Sequence, residues 1–262
     1  MSVGPVETSD PPVGTRGVPG TAEEPGAPLL EVRTTVPASG PSRLIHRTLL
    51  RAMIAGSRAL RGIDVELRGA GILDDLNGPF LITPNHVSLI DSPLVHAYLP
   101  RRHARRTAVV GGLDFFAPRK DHGLTERLWR RLVVRFIRGA VNVALIDRTG
   151  GDYSNLDQLD ELLAEGWNLV LFPEATRSRS GELGRMKLGA AELSRRYRCP
   201  VVPARIEGTR EVLPVGAGLP RTGSVRITLG APLHIGEDEG GRAFTERIGR
   251  AITSIETGRN AP

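Results

Sequence analysis

Short apolar runs alternate along the chain with stretches in which apolar residues recur at helical spacing. A short apolar run bounded by turn residues is typical of a buried strand. The predicted strands cover residues 80–83, 107–110, 141–146, 168–172, 201–206 and 224–229. The predicted helices between and after them cover residues 93–99, 124–137, 154–165, 186–197 and 243–255. This alternation predicts a single α/β domain with a largely parallel central sheet flanked by helices.

Two of the predicted helices show why the pattern is helical. Leu124, Leu128, Leu132 and Phe136 follow one another at a spacing of four. The helix at 154–165 opens at a serine that can cap its first turn, and it ends at Gly166. We find no internal repeat.

The segment 42–61 is predicted to be an amphipathic helix that precedes the domain. Leucine, isoleucine and methionine side chains line one face, and five arginines punctuate the other. A basic amphipathic helix suits a lipid interface. It also fits a helix that packs on the core and exposes its basic face to water. Both interpretations stay open at this point.

Residues 1–40 lack such a pattern. They carry seven prolines and six glycines with few large apolar residues, so we expect a disordered tail. The remainder, 41–262, is expected to be the folded domain. No apolar run reaches the length of a membrane span, and the N-terminus does not resemble a signal peptide.

Composition and charge narrow the function classes. The 262 residues are 40% hydrophobic, enough for one sizeable core, and the net charge is +6. Within 101–138 there are ten arginines and one lysine against three acids. Sparse aromatics and the absence of a DNA-binding motif disfavour a nucleic-acid partner. A membrane-facing or substrate-steering surface fits better, although a solvated basic face is also compatible.

The stretch 81–91, LITPNHVSLID, contains the first candidate chemistry. A predicted strand ends at Pro84, and Asp91 follows His86 by five residues. A histidine with a carboxylate within reach can act as an oriented base. Alone the pattern is weak, and a polar loop at the strand end, in which Asn85 or Ser88 caps the next helix, is the simpler alternative. If His86 is a base, it should lie between strand and helix, because residues five apart on a helix point in different directions.

A second candidate region is 171–179, LFPEATRSR. It places Glu174, Thr176 and Arg177 in a loop after a predicted strand, where α/β sheets bind ligands. Arg148 follows another predicted strand, and Lys187 follows a glycine-rich turn. Arginines in such positions suit a phosphate because the guanidinium donates two parallel hydrogen bonds. For any one of them, a surface salt bridge is an alternative.

These blocks together resemble the glycerolipid acyltransferase family, whose best-known members are the 1-acylglycerol-3-phosphate acyltransferases. NHVSLID, VNVALIDR, FPEATRS and CPVVPARI resemble the family's four motifs in order, and MKLGA and VRITLGAPL resemble its intervening and final segments. The resemblance covers roughly 43–255.

The resemblance implies transfer of a fatty acyl group from acyl-CoA or acyl carrier protein to the hydroxyl of 1-acylglycerol-3-phosphate. His86 would be the base and Asp91 its partner, while Arg148, Arg177 and Lys187 would bind the acceptor's phosphate. Asn85 and Thr176 are expected at the substrate site, and Glu174 would bind a glycerol hydroxyl or hold Arg177. No cofactor and no metal are expected. The partners would be the lysophospholipid, the acyl thioester and an anionic membrane surface, at the cytoplasmic face.

Two departures from the family pattern bear on the acceptor and the loop. Ala175 replaces the usual glycine of the third motif, which costs free energy if that position needs a positive φ. Residues 109–116 lack the lysine that many members carry there. The second departure leaves open the same chemistry on another acceptor, a lyso-ornithine lipid or a glycolipid. A catalytically dead membrane-binding module is a separate alternative, against which the intact Asn85-His86…Asp91 set argues.

Other reactive residues are not needed for this chemistry. A Ser-His-Asp hydrolase is disfavoured because no Gly-x-Ser-x-Gly turn occurs. The single cysteine, Cys199, excludes an internal disulfide and is expected to be a packing residue. His96 and His103 are expected to be ordinary surface or packing residues.

Overall fold

A computed structural model describes residues 62–112, 141–146, 157–178, 180–214 and 220–255. It also describes four separate positions within 42–61, namely Thr48, Ala52, Gly56 and Ala59, and all four are helical. Most of the predicted helix 42–61 and the whole of the predicted tail 1–40 lie outside the described residues. So does the predicted helix 124–137.

The described strands and helices follow the alternation expected from the sequence. The strands are β1 (Ile63–Arg68), β2 (Leu81–Pro84), β3 (Thr107–Gly112), β4 (Val143–Ile146), β5 (Asn168–Val170), β6 (Val201–Glu207) and β7 (Gly223–Leu229). A 3-10 helix spans Ala70–Asp75. The α-helices are α1 (Asp91–Tyr98), α2 (Arg101–Ala104), α3 (Asp157–Ala164), α4 (Gly189–Tyr197), α5 (Thr209–Val212) and α6 (Gly241–Ser254).

The seven described strands form one sheet in the order β1-β7-β6-β2-β5-β3-β4. Among them, β6 and β7 form the antiparallel pair, and every other neighbouring pair is parallel. The predicted single α/β domain with a largely parallel sheet is therefore confirmed. Strand β2 lies at the centre of this order, with β6 on one side and β5 on the other.

Helices cover both faces of the sheet, and successive strand residues point to opposite faces. Ile82 packs in a cluster with Leu94 and Val95 of α1. Its neighbour Leu81 packs in a second cluster with residues of α3, α4 and α6. Because both faces are buried, the central strands are apolar throughout, which is why their short apolar runs stood out in the sequence.

Some boundaries differ from the sequence-based ones. Strand β1 was not predicted, although its residues alternate between a buried or half-buried isoleucine, valine or leucine and an exposed charged residue. Strand β5 ends at Val170, two residues before the predicted end. Helix α3 ends at Ala164, one residue before the predicted end. Gly166 follows it as expected from the sequence: its φ of 77° turns the chain, and its N–H donates to Leu163 O at 3.0 Å. The proposed cap of α3, Ser154, lies outside the described residues.

Within the described ranges, none of the helices combines the length and the apolar character that crossing a bilayer requires.

Candidate active site

His86 lies in the connection between β2 and α1, at the carboxyl end of the central strand. Strand β2 ends at Pro84 and α1 begins at Asp91. The prediction that this histidine sits between a strand and a helix is confirmed. The parallel neighbours of β2 are β5 and β6, so the segments that follow those strands emerge at the same edge of the sheet.

His86 and Asp91 form a hydrogen-bonded pair. His86 Nδ1 lies 2.8 Å from Asp91 Oδ2, and the aspartate is fully buried. The same oxygen accepts the backbone N–H groups of Val87 and Ser88, each at 2.7 Å. An oxygen on which N–H donors converge acts as an acceptor, so Nδ1 is the donor in this pair. In a neutral imidazole with this hydrogen bond, the free lone pair lies on the other ring nitrogen, Nε2.

The surroundings of the imidazole limit its motion. The His86 ring lies against the Phe172 ring, with centroids 4.2 Å apart and planes tilted by 34°. The side chain is 17% exposed, so part of the ring remains accessible to a substrate. Phe172 was not among the predicted site residues. It could have been predicted from its position two residues after β5, because ligand sites in such sheets lie beyond the carboxyl ends of the strands.

The two polar neighbours of His86 bind the protein's own backbone. Asn85 donates to Ile206 O at 3.0 Å and accepts from Ile206 N at 2.7 Å. Ser88 Oγ donates to Leu213 O at 2.9 Å. Neither caps α1, whose first turn has no side-chain cap, so the alternative of a capping loop is wrong. Asn85 fixes the end of β2 to β6, and its predicted contact with substrate stays a prediction.

The loop after β5 packs directly beside His86. Glu174 is 5% exposed, and its Oε1 accepts the His86 backbone N–H at 2.9 Å. Its Oε2 accepts the Gly184 N–H at 2.7 Å. Ser178 N donates back to His86 O at 2.8 Å. The first and third sequence motifs are thus joined through the backbone of the histidine.

Ala175 adopts a left-handed conformation, with φ of 57°. This is the position where the sequence departs from the family's glycine, so the departure does carry a backbone cost. Its N–H donates to Phe172 O at 3.1 Å, which closes a tight turn immediately after the strand. The turn directs Glu174 inward, beneath His86.

The predicted phosphate ligands are described in part. Arg177 is half-buried, whereas Thr176 and Lys187 are exposed. Lys187 is held near the loop because its N–H donates to Pro173 O at 2.8 Å. Arg148 lies outside the described residues. The structure therefore brings Arg177 and Lys187 to the segment that packs on His86.

Cys199, His96 and His103, which the sequence suggested are packing or surface residues, pack against other parts of the protein. Cys199 is 3% exposed, and burial raises the pKa of its thiol to about 11. His96 is buried in α1. His103 packs edge-on against Phe80, with centroids 5.6 Å apart. Burial, aided by the adjacent Arg102, lowers the pKa of His103. No group of three or more metal-ligating side chains occurs among the described residues.

An oriented histidine at the carboxyl edge of a parallel sheet is suited to act as a general base. Such a base takes the proton from a hydroxyl group as its oxygen attacks a carbonyl carbon. A protein-family model described as Acyltransferase matches residues 64–207, more than half of the chain. The chain belongs to this acyltransferase family.

Similar proteins are known from plants, animals and bacteria. The chloroplastic 1-acyl-sn-glycerol-3-phosphate acyltransferase LPAT1 of Arabidopsis thaliana is 39% identical over 75 residues, which is 28% of this chain and 21% of that protein. The human 1-acyl-sn-glycerol-3-phosphate acyltransferase alpha is 29% identical over 159 residues, 59% of this chain and 50% of that protein. The matches thus span at most half the length of these two relatives.

The crystal structure of the 1-acyl-sn-glycerophosphate acyltransferase PlsC from Thermotoga maritima has the same fold. Its TM-score is 0.56 at 22% identity, and the match covers 84% of both chains.

Proposed function

We propose that this protein transfers a fatty acyl group from a thioester, acyl-CoA or acyl carrier protein, to the free hydroxyl of 1-acylglycerol-3-phosphate, which yields phosphatidic acid. The observation that carries the proposal is the 2.8 Å contact between His86 Nδ1 and Asp91 Oδ2 at the carboxyl edge of the sheet. The names of the curated relatives supply the acceptor.

The geometry accounts for the proton transfers. Nε2 of neutral His86 accepts the proton of the acceptor hydroxyl as the oxygen attacks the thioester carbonyl carbon. Asp91 holds the ring through Nδ1–H and stabilises the imidazolium that forms. When the tetrahedral intermediate collapses, the carbon–sulfur bond breaks and Nε2 returns the proton to the departing thiolate. The products are an ester and a free thiol.

The acceptor itself is the nucleophile, so the enzyme needs no covalent intermediate. The Phe172 ring beside His86 excludes water from one side of the imidazole. This favours transfer to a bound alcohol over hydrolysis of the thioester.

In this proposal Arg177, Lys187 and Arg148 bind the acceptor's phosphate, and Thr176 lies at the same site. A guanidinium offers paired donors to a phosphate, and an ammonium adds charge. The enzyme would work as a peripheral protein on an anionic membrane surface, at the cytoplasmic face, where its acceptor resides.

The test is product analysis with purified protein. We expect acylated lysophosphatidic acid, detected by mass spectrometry, with one or both thioester donors. His86→Ala should lower turnover on the order of 10²–10⁴-fold, because general-base catalysis is lost. His234→Ala, which alters an exposed histidine outside the site, is the matched control.

Two results would contradict the proposal in different ways. Near-wild-type turnover by His86→Ala would overturn the mechanism. No product from wild type with lysophosphatidic acid, lyso-ornithine lipid or a glycolipid acceptor would favour the membrane-binding module instead.

A further inference from the structure

We propose that Glu174 is a positioning residue that holds the backbone of His86, and that it does not bind substrate. This role differs from the hydroxyl contact expected from the sequence, and it rests on the acyl transfer proposed above. Four features carry it: the two hydrogen bonds of the carboxylate, its burial, the crowding at Gly184 and the return contact from Ser178.

The first hydrogen bond reaches the catalytic histidine directly. Glu174 Oε1 accepts the His86 backbone N–H at 2.9 Å, across 88 residues of sequence. Asp91 fixes the imidazole of the same residue through Nδ1. One carboxylate therefore sets where the residue sits, and the other sets how its ring is turned.

The second hydrogen bond ties the carboxylate to the turn that precedes Lys187. Glu174 Oε2 accepts the Gly184 N–H at 2.7 Å. A Cβ at Gly184 would lie 3.1 Å from this oxygen, tighter than an ordinary contact. Glycine at this position therefore permits the close approach. The same carboxylate thereby links His86 to the segment that bears a proposed phosphate ligand.

Little of Glu174 is left for a substrate. The residue is 5% exposed, and each oxygen already accepts a backbone N–H. A buried carboxylate with two N–H donors is a strong, oriented anchor. Ser178 N closes the arrangement from the other side by donating to His86 O at 2.8 Å. Both backbone polar groups of His86 are thus bound by the loop after β5.

Position is what general-base catalysis requires of this loop. Nε2 must lie within hydrogen-bond reach of the acceptor hydroxyl, and a displacement near 1 Å costs on the order of 10²-fold in rate. Glutamine at 174 has one acceptor oxygen for two N–H donors. One of the two backbone N–H groups would then face an amide NH₂. That mismatch displaces either the His86 N–H itself or the Gly184 turn that fixes the side chain, so the hold on the histidine weakens.

The test compares Glu174→Gln, Gly184→Ala and Glu182→Gln, with kcat and the acceptor KM measured for each. Glu182 is an exposed carboxylate in the same loop and serves as the control. We expect Glu174→Gln to lower kcat by about 10²-fold with the acceptor KM unchanged, as for a misplaced base. Gly184→Ala should lower kcat by less than Glu174→Gln does, because the added Cβ displaces the carboxylate without removing it. Glu182→Gln should match wild type.

A second readout does not depend on turnover. The chain has six histidines, so selective ¹⁵N-histidine labelling gives few backbone amide signals. The His86 signal, assigned by its loss in His86→Gln, should lie downfield in wild type because its N–H binds a carboxylate. It should move upfield in Glu174→Gln and shift in Gly184→Ala.

The outcomes separate the two proposals. A raised acceptor KM at unchanged kcat in Glu174→Gln would make Glu174 a substrate ligand and overturn the positioning role, while acyl transfer would stand. If Glu174→Gln does not fold, Gly184→Ala decides: an unmoved His86 amide signal or an unchanged kcat there overturns the role. If wild type transfers no acyl group, the amide signals alone decide it.

Discussion

At the scale of single residues, Ala175 combines a poor local conformation with a position next to Glu174. Its φ of 57° costs an L-residue about 1–2 kcal/mol, and glycine avoids this cost. The tight turn it occupies carries the carboxylate that contacts His86. The strain is therefore tolerated because surrounding contacts fix the loop.

Ala175→Gly should stabilise the protein by about 1 kcal/mol, because relief of the left-handed strain exceeds the entropy that glycine adds to the unfolded chain. Urea unfolding measures the change. Ala243→Gly, at an exposed position in α6, should destabilise by about 0.5–1 kcal/mol. A destabilisation of both variants by similar amounts would show that the 175 position tolerates alanine without strain.

Arg177 tests the identity of the acceptor. Arg177→Ala should raise the KM for lysophosphatidic acid about ten- to a hundredfold, the effect of losing one charge-assisted contact, and leave the donor KM little changed. Arg177→Lys should recover part of this loss, because lysine keeps the charge without the paired donors.

The comparison for Arg177 needs monoacylglycerol, a matched acceptor without phosphate, and Arg242→Ala as an exposed-arginine control. Wild type should have the lower KM for the phosphorylated acceptor. In Arg177→Ala the difference in KM between the two acceptors should be smaller. If Arg177→Ala raises the KM for both acceptors by the same factor, Arg177 has a structural role and the natural acceptor is a different lipid.

At the scale of elements, the sequence pattern predicted those strands and helices whose formation depends on neighbouring residues in the chain. The buried strands β2, β3, β5 and β6 were visible as apolar runs, and the histidine after β2 followed from them. Strand β1 carries an equally clear alternation of Ile63, Val65 and Leu67 with charged residues, so it could have been predicted.

The contacts of Asn85 and Glu174 could not be predicted in the same way. They join residues 121 and 88 positions apart, so they depend on the strand order and on no local pattern. Residue types identified both as site residues. Only the folded geometry shows that their polar groups bind backbone.

The segment 42–61 belongs to the same scale, and its membrane role stays a prediction. Deleting 1–61 should release the protein from anionic vesicles, whereas deleting only the tail 1–40 should not, because the basic apolar segment supplies the attraction. Vesicle co-sedimentation measures this, and added salt should weaken binding by screening. Unchanged sedimentation of the shorter, still folded protein would favour a helix packed on the core.

At the scale of the whole molecule, the one cysteine reports on global stability. Cys199 is buried between α4 and β6, and burial raises its pKa from 9.0 to about 11. The thiol is therefore protected from the solvent and from ionisation in the folded state. Its reaction with alkylating reagents requires unfolding.

Iodoacetamide at pH 8 should modify Cys199 rapidly in urea and very slowly in the native protein, as followed by intact mass. Because the folded pKa is the higher one, the unfolded state loses its proton first. The protein should therefore lose stability as pH rises from about 9 to about 11, relative to Cys199→Ala. Equal native and denatured alkylation rates would contradict this.

The order of the sheet also fixes when the protein can fold on a ribosome. Strand β1 pairs with β7, and Glu66 meets Arg226 across 160 residues of chain. At a synthesis rate of 5–20 residues per second, β1 waits roughly 8–30 s for its partner. During that interval the apolar residues of β1 lack the neighbouring strand, β7, with which they pair in the folded protein. The first described strand is therefore among the last to find its place.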